Sequence, residues 1–188
     1  MDRIEQAVQE ANKLHGLCTT GEELKRLAEL AHNAEFIVEI GSYMGRSTKA
    51  LTTATRGQVF SVDTWQGSDE DEDGTKTKIV PPDELYSAFI RNSWSEIISG
   101  KLTALRCDSV EGAKILAELG YTFDMIFIDA GHDYEWVTRD IKAWLPLIDK
   151  GGVMVGHDLP HPGMVDALND TIPGWTSSVG MLWEYVVK

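Results

Sequence analysis

The sequence has few cysteines, few basic residues and no long apolar run, and each shortage excludes a class of protein. Its two cysteines, Cys18 and Cys107, form no Cys-x-x-Cys pair, so neither a disulfide framework nor a cysteine zinc site is expected. Lys and Arg number 17 against 30 Asp and Glu, a net charge of -13, which disfavours a nucleic-acid partner. No stretch reaches the length of a membrane span, and the polar N-terminal region has no signal-peptide core. We therefore expect a cytoplasmic protein with no membrane partner.

The remaining composition is that of an ordinary globular domain, with 43% hydrophobic and 25% charged residues. A chain of 188 residues is long enough for one domain with its own core, so we predict a single domain over 1–188. Two amphipathic helices are predicted within 1–34. The first covers 2–15, and the second begins at Thr20 and Glu23, which have the spacing of a capping box. The core then extends over 35–188.

Short apolar runs alternate with helical patterns from residue 35 onwards. The predicted strands are 36–40, 58–62, 102–107, 123–129 and 152–156. The predicted helices between them are 46–55, 83–98, 109–119 and 134–148. This alternation is typical of an α/β fold, a Rossmann-like three-layer sandwich whose mostly parallel sheet is covered on both faces. The last two apolar segments, WTSSVG and LWEYVV, are too close for a crossover and predict an antiparallel C-terminal hairpin.

The turn after the first strand is the strongest candidate for a ligand site. The strand FIVEI leads directly into GSYMGRSTKAL, so Gly41, Ser42 and Gly45 fall between a strand and the helix that follows it. Glycine lets the backbone approach a ligand closely, and the new helix presents unpaired N–H groups there. The alternative is a glycine-rich turn that binds nothing.

The type of ligand is indicated by the glycine spacing and by Glu39, which lies just before the turn. The pattern Gly-x-x-x-Gly differs from the Gly-x-Gly-x-x-Gly of dinucleotide sites. A carboxylate here would repel a pyrophosphate and attract the ammonium and sulfonium charges of S-adenosylmethionine. The turn therefore favours S-adenosylmethionine over a dinucleotide.

The ends of the second and third strands carry further candidate cofactor residues. Asp63 can accept the ribose hydroxyls, and Trp65 can cover the adenine or the ribose. Asp108, followed by Ser109, can accept the exocyclic amine of adenine. A helix N-cap for Asp108 and a packed core position for Trp65 are the structural alternatives.

The fourth and fifth strands end in ionisable residues at the same edge of the sheet. His132 is the candidate general base, with capping or orientation of Asp129 as the alternative. Asp129 is also a candidate catalytic residue, and with His157 and Asp158 it can bind a divalent cation that stabilises an attacking oxyanion. Purely structural roles for Asp129 and His157 stay open.

These segments resemble the class I S-adenosylmethionine-dependent methyltransferases, in particular a methyltransferase family 24-like group. The resemblance lies in VEIGSYMGRST, SVDTW and FIDAGHDYEWVTRDIKAWLPLIDKGGVMVGHD and extends over about 35–188. It implies a seven-stranded sheet with the last strand antiparallel. It also implies the roles of the candidate cofactor residues. The amino-acid end of the cofactor would be contacted by Glu39, Gly41, Ser42 and Gly45. The ribose would be contacted by Asp63, and the adenine by Asp108 with Ser109.

Related sugar and catechol O-methyltransferases are similar in having an aspartate at Asp129, a base at His132 and oxygen ligands after the fifth strand. His157 departs from that pattern, because imidazole suits manganese, iron or zinc better than magnesium. A divalent cation is therefore predicted, with magnesium, manganese and zinc all open.

Together these observations predict methyl transfer from S-adenosylmethionine to the hydroxyl of a small-molecule acceptor, a sugar or a phenol. A nicotinamide-dependent oxidoreductase and a non-enzymatic cofactor-binding module are the alternatives. Two roles are open for the N-terminal helices: they form a homodimer or they cover the acceptor site. The acidic run Asp69–Asp73 is either a lid or a solvated loop.

Overall fold

The structure is a computed structural model that describes residues 2–14, 19–67, 81–161 and 163–188. The acidic run Asp69–Asp73 lies outside the described residues. The helices are α1 (Arg3–Ala11), α2 (Gly21–His32), α3 (Arg46–Ala54), α4 (Pro82–Asn92), α5 (Trp94–Ile98), α6 (Ser109–Glu118), α7 (Tyr134–Trp144) and α8 (Met164–Thr171), with a 3-10 turn over Leu145–Leu147. The strands are β1 (Phe36–Ile40), β2 (Gln58–Asp63), β3 (Leu102–Arg106), β4 (Phe123–Ile128), β5 (Ile148–Gly156), β6 (Thr176–Ser177) and β7 (Trp183–Val186).

The seven strands form one sheet in the order β3-β2-β1-β4-β5-β7-β6. Strands β1 to β5 pair in parallel, whereas β7 pairs antiparallel with both β5 and β6. The predicted Rossmann-like fold with an antiparallel C-terminal hairpin is therefore confirmed. Because β1 lies between β2 and β4, the strand order reverses at β1, and a crevice forms where the loops after β1 and β4 leave the sheet in opposite directions.

Alternating side chains of the strands build a core on each face of the sheet. Val38, Phe60 and Ile126 point to the face covered by α6, α7 and α8. Ile37 and Met125 point to the opposite face, which is covered by α1, α2, α3 and α4. Since both faces are covered, the three-layer arrangement follows from the near-continuous apolar runs of the parallel strands.

The N-terminal helices pack on α3 and are tied to the sheet. The capping box of α2 is present: the Thr20 hydroxyl accepts the Glu23 N–H, and the Glu23 carboxylate accepts the Thr20 N–H. Further along α2, Arg26 donates from Nε and Nη2 to the two oxygens of Glu184 on β7, at 2.8 Å each. The helices predicted within 1–34 therefore belong to the same packed unit as the sheet.

Several element boundaries differ from the sequence prediction, beginning with the first helix, which was predicted over 2–15 and covers Arg3–Ala11. The predicted helix 83–98 is divided at Ser93, where the Asn92 side chain donates to the Met44 carbonyl at 2.9 Å. The predicted helix 134–148 ends at Trp144, since Pro146 removes a backbone donor and a 3-10 turn leads into a longer β5. The connection after the fifth strand contains α8, a helix that was not predicted from the sequence. Of the helices described, none has the length and apolarity to cross a membrane.

Asp140, on the inner side of α7, is a buried acid whose charge opposes folding. Its exposed fraction is 0%. Burial raises the pKa of this carboxyl to about 6, and Ser109 and Arg139 offset only part of the effect. When the pKa of an acid is higher in the folded than in the unfolded state, the free energy of unfolding of the protein falls as the pH rises between the two pKa values.

We expect Asp140→Asn to raise the free energy of unfolding at pH 8, by up to about 3 kcal/mol from a shift of about two pKa units. The gain should shrink as the pH falls through 6 and disappear below about pH 3, where the aspartate is protonated in both states. Urea unfolding of both proteins across this range measures it. A gain that is the same at pH 4 and pH 8 would contradict the titration of Asp140.

Candidate functional site

The site is built where the turn after β1 touches the end of β4. Gly41 has φ of +85°, and a Cβ on it would lie 2.0 Å from the carbonyl oxygen of Asp129. Two backbone bonds hold the contact: the Gly41 N–H donates to Val62 at 3.0 Å, and the Asp129 N–H donates to Ile40 at 2.8 Å. Only glycine combines this conformation with this approach. The turn is thus held against the end of β4, where Asp129 lies.

Gly45 begins α3 from the left-handed region, with φ of +88°. A Cβ there would lie 3.0 Å from the Ser93 hydroxyl and 3.2 Å from the Phe89 ring. The break between α4 and α5 at Ser93 is therefore what packs against the turn. Both glycines singled out from the sequence have positive φ angles and close neighbours, which is the physical reason that the spacing is Gly-x-x-x-Gly.

A cavity of about 60 Å³ opens at this turn. It is lined by Thr19, Gly41, Ser42, Tyr43, Arg46, Ser47 and Asp129. Arg46 donates to the Thr19 carbonyl at 2.6 Å and to the Asn12 side chain at 2.8 Å. Residues that flank both N-terminal helices thus meet the turn.

Glu39 lies beneath the turn, fully buried. Its Oε2 atom accepts hydrogen bonds from the Thr48 hydroxyl at 2.5 Å and the Ser61 hydroxyl at 3.1 Å. Burial raises the pKa of this carboxyl, and hydroxyl donors oppose the rise. The Ser42 and Ser47 hydroxyls lie close enough to lower the pKa of the carboxyl, but within the described part of the chain neither Glu39 Oε1 nor the Ser42 hydroxyl has a hydrogen bond of good geometry. This incompletely satisfied pair is suited to meet a polar ligand group.

Asp63 joins the end of β2 to the turn. Its Oδ2 atom accepts the Ser42 N–H at 2.8 Å and the Tyr43 N–H at 2.9 Å, and Oδ1 accepts the Trp65 N–H at 2.7 Å. Trp65 is fully buried against Tyr86 and Phe89, and its Nε1 donates to the Tyr43 carbonyl at 2.8 Å. In this conformation the Asp63 carboxylate supports the turn, and the Trp65 indole occupies the packed core position that was its structural alternative.

Asp108 and Ser109 begin α6 and are turned towards α7. Asp108 caps the helix by accepting the Val110 N–H at 3.0 Å, and it forms an ion pair with Arg139. The Ser109 hydroxyl accepts the Nε1–H of Trp144 at 2.9 Å. The capping alternative for Asp108 is therefore present. Its carboxylate is partly exposed and stays within reach of a ligand beside β3.

The four ionisable residues at the ends of β4 and β5 form one cluster. Asp158, with φ of +65°, lies between the two imidazoles: its Oδ2 is 3.0 Å from His132 Nδ1 and its Oδ1 is 3.1 Å from His157 Nδ1. Asp129 Oδ1 is 3.7 Å from the same His157 nitrogen. Aspartate tolerates the left-handed region better than most side chains. The sequence prediction that these residues share one edge of the sheet agrees with this geometry.

The pKa values of the two carboxylates in this cluster are shifted in opposite directions. Burial, with the nearby Asp158 charge, raises the pKa of Asp129 to about 7 against the attraction of the imidazoles. Burial also acts on Asp158, but hydrogen bonds from His132 and His157 hold its pKa well below the usual range. For His157, burial is outweighed by the carboxylates, which raise its pKa to about 9. Such opposed shifts in one cleft are typical of functional sites.

Glu23 is the functional candidate that the sequence analysis missed. Its Oε1 atom is 3.5 Å from His157 Nε2, and its side chain is 1% exposed. In the sequence, the capping-box spacing from Thr20 already accounted for a glutamate at this position, so no further role was sought for it. No local signal places the first turn of an N-terminal helix beside the end of β5, so only the tertiary structure reveals the contact.

With this geometry in place, comparison with known proteins decides the family. A methyltransferase domain family matches residues 38–159. The chain belongs to this methyltransferase family. The match covers the turn, Asp63, Asp108 and the cluster at β4 and β5, and it confirms the resemblance to class I S-adenosylmethionine-dependent methyltransferases. It also decides against the nicotinamide-dependent alternative, since the protein is a methyltransferase.

Solved structures of O-methyltransferases share the fold. An enzyme from Bacillus cereus in complex with SAH has a TM-score of 0.67 at 18% identity, covering 100% of this chain and 91% of the other. TomG from Streptomyces achromogenes, of tomaymycin synthesis and in complex with SAM, has a TM-score of 0.66 at 16% identity, with the same coverage. A TDP-rhamnose 3'-O-methyltransferase of calicheamicin biosynthesis has a TM-score of 0.63 at 16% identity, covering 97% and 93%.

We expect Gly41→Ala to destabilise the methyltransferase by roughly 4 kcal/mol or more, because a methyl group would overlap the Asp129 carbonyl. Gly120→Ala is the matched control. Gly120 has φ of +81° but no atom within 4 Å of an added Cβ, so only the conformational cost of about 1–2 kcal/mol applies. Denaturant unfolding of both variants measures the difference. Equal losses would show that the close approach has no energetic weight.

We expect Asp158→Asn to lower the pKa of His132, since hydrogen bonding to Asp158 is the main cause of its elevation. An NMR titration of the imidazole in the metal-free protein measures the shift. Asp133→Asn serves as comparison, because Asp133 is adjacent in sequence but accepts the Trp136 N–H. A larger effect from Asp133→Asn would contradict the assigned partner.

Proposed function

We propose that this methyltransferase transfers the methyl group of S-adenosylmethionine to a hydroxyl of a small sugar or phenol. The observation that carries the proposal is the contact of Gly41 with Asp129, which places a cofactor-type turn against a cluster of two histidines and two aspartates. Methyl transfer to oxygen needs both parts: a bound sulfonium donor, and a group that takes the hydroxyl proton.

The cofactor residues proposed are those selected from the sequence. Glu39, Gly41, Ser42 and Gly45 would hold the amino-acid end, since the incompletely satisfied Glu39 Oε1 and Ser42 hydroxyl suit an ammonium donor and a carboxylate. Binding of the ribose by Asp63 would replace its bonds to the turn amides. Trp65, Asp108 and Ser109 would contribute beside the adenine, Trp65 only after its ring leaves the core.

His132 is the proposed base, and its hydrogen bond to Asp158 determines which ring nitrogen can accept the proton. With Nδ1–H donated to Asp158 at 3.0 Å, Nε2 carries the lone pair of the neutral imidazole. The side chain is 41% exposed, so an acceptor hydroxyl can reach it, and its ring centre lies 5.6 Å from that of His161. A carboxylate that orients a histidine base is the arrangement of the catalytic triads.

A divalent cation fits the residues Asp129, His157 and Asp158. Each offers one ligand atom, and the three atoms lie within 4.8 Å of one another. The Nδ1 atom of His157 is buried and faces the oxygens of Asp158 and Asp129, at 3.1 and 3.7 Å, so all three ligand atoms point to one place. A bound cation would lower the pKa of a coordinated hydroxyl, and the imidazole favours manganese or zinc over magnesium.

The chemistry of the cluster and the similar solved structures support the proposed acceptor class. A base beside carboxylates and a cation site suits vicinal hydroxyls, which a metal can hold in pairs. Among the similar structures, one enzyme methylates a TDP-rhamnose and others are O-methyltransferases of other pathways. The acidic chain, with a net charge of -13, gives no support for a nucleic-acid substrate.

Thermal unfolding with S-adenosylhomocysteine and with NAD tests the cofactor. A ligand that binds the native state raises the Tm, so S-adenosylhomocysteine should raise it and NAD should not. Glu39→Gln should reduce the rise, because the ammonium partner is lost. Stabilisation by NAD alone would reverse the proposal.

Methyl transfer from labelled S-adenosylmethionine to catechol and to TDP-rhamnose tests the base and the acceptor class. His132→Ala should lower turnover by about 10²- to 10⁴-fold while leaving cofactor binding intact. Asp129→Ala should also lower turnover. His32→Ala, at the end of α2, is the control histidine. Unchanged turnover in His132→Ala would exclude it as the base, and transfer to neither acceptor would contradict the proposed class.

A further inference from the structure

The buried carboxylate of Glu23 connects three parts of the chain. Its Oε2 atom accepts the Thr20 N–H at 2.6 Å, at the start of its own helix. Its Oε1 atom accepts the Met181 N–H at 2.8 Å, in the connection between β6 and β7. The same Oε1 atom lies 3.5 Å from His157 Nε2. A carboxylate this deeply buried is retained only where such partners stabilise its charge.

The C-terminal hairpin is shaped to admit this carboxylate. Gly180 has φ of +60°, and a Cβ on it would lie 2.2 Å from Glu23 Oε1. Glycine at this position therefore leaves the space that the carboxylate occupies. The Met181 N–H and the space at Gly180 together fix the position of Oε1, independently of His157.

The two nitrogens of His157 face different groups. Nδ1 faces the oxygens of Asp129 and Asp158, at 3.7 and 3.1 Å. Nε2 faces Glu23, on the opposite side of the ring. A histidine that binds a cation through Nδ1 must carry its remaining proton on Nε2, and a buried N–H needs an acceptor. Among the described residues, Glu23 is the carboxylate at that nitrogen, at an ion-pair separation of 3.5 Å without a hydrogen bond between them in this structure.

We propose that Glu23 is a positioning residue that keeps the His157 proton on Nε2, so that the Nδ1 lone pair is directed at a cation held with Asp129 and Asp158. The proposal rests on the cation site of the proposed function and adds the residue that orients its unusual ligand. Carboxylates that bind the second nitrogen of a ligand histidine fix its tautomer and raise its basicity.

One consequence concerns the N-terminal helices. Glu23 lies on α2, outside the residues 38–159 that match the family. A segment that the family match does not include thus completes the surroundings of a metal ligand, so α2 sets metal affinity.

Mn²⁺ binding to the full-length protein, followed by electron paramagnetic resonance, tests this inference without any acceptor substrate. We expect Glu23→Ala to weaken Mn²⁺ binding by about 10- to 100-fold. Glu23→Gln should weaken it less, since an amide oxygen can still accept the Nε2–H. Thr20→Val is the matched control: it removes the hydroxyl of the same capping box but leaves His157 untouched, so Mn²⁺ affinity should be unchanged.

Nitrogen-15 NMR of the Zn²⁺-loaded protein gives a readout that loss of helix stability would not produce. The wild-type His157 should show an Nε2–H hydrogen-bonded to a carboxylate, and the proton shift of this N–H should move upfield in Glu23→Gln, where the acceptor is a neutral amide. Equal Mn²⁺ affinity in wild type and Glu23→Ala, or equal losses in Glu23→Ala and Thr20→Val, would overturn the role of Glu23. Failure of the wild type to bind either metal would instead overturn the cation site, and this inference with it, while the cofactor and the base would be tested separately.

Discussion

The contact between Gly41 and the Asp129 carbonyl is the constraint on which the site depends. It can form only where a strand lies between two parallel neighbours whose loops leave in opposite directions, as β1 does here. A residue larger than glycine would push the turn away from β4. The cofactor turn and the acidic end of β4 would then no longer share one cleft. The close approach of these two backbone segments therefore places the turn after β1 beside the ionisable residues that follow β4.

Charge in the cleft is organised around one aspartate. Asp158 accepts from both imidazoles, so its pKa is lowered, while burial and the Asp158 charge raise the pKa of Asp129. Two carboxylates 4.8 Å or less from one imidazole would repel each other without compensating positive charge. The histidines supply that charge in the free protein, and a divalent cation would supply it in their place.

The N-terminal helices are part of this arrangement. Arg46 at the start of α3 binds the Thr19 carbonyl and the Asn12 side chain, and Glu23 reaches the far side of His157. Arg26 and Glu184 hold the same helix on β7 through a bidentate pair. Because α2 is fixed at both the hairpin and the turn, its buried carboxylate is held at a constant position relative to β5.

Periodicity and spacing by themselves determined the strand and helix order, the parallel sheet with its terminal hairpin, and the glycine turn preceded by Glu39. These are local properties, since alternation, capping and positive φ act over a few residues. The tertiary structure decided what depends on long-range packing: that Trp65 is enclosed by α4, that Asp108 pairs with Arg139, and that Glu23 faces His157. Glu23 and His157 are 134 positions apart, and only the packing of α2 against the sheet brings them together.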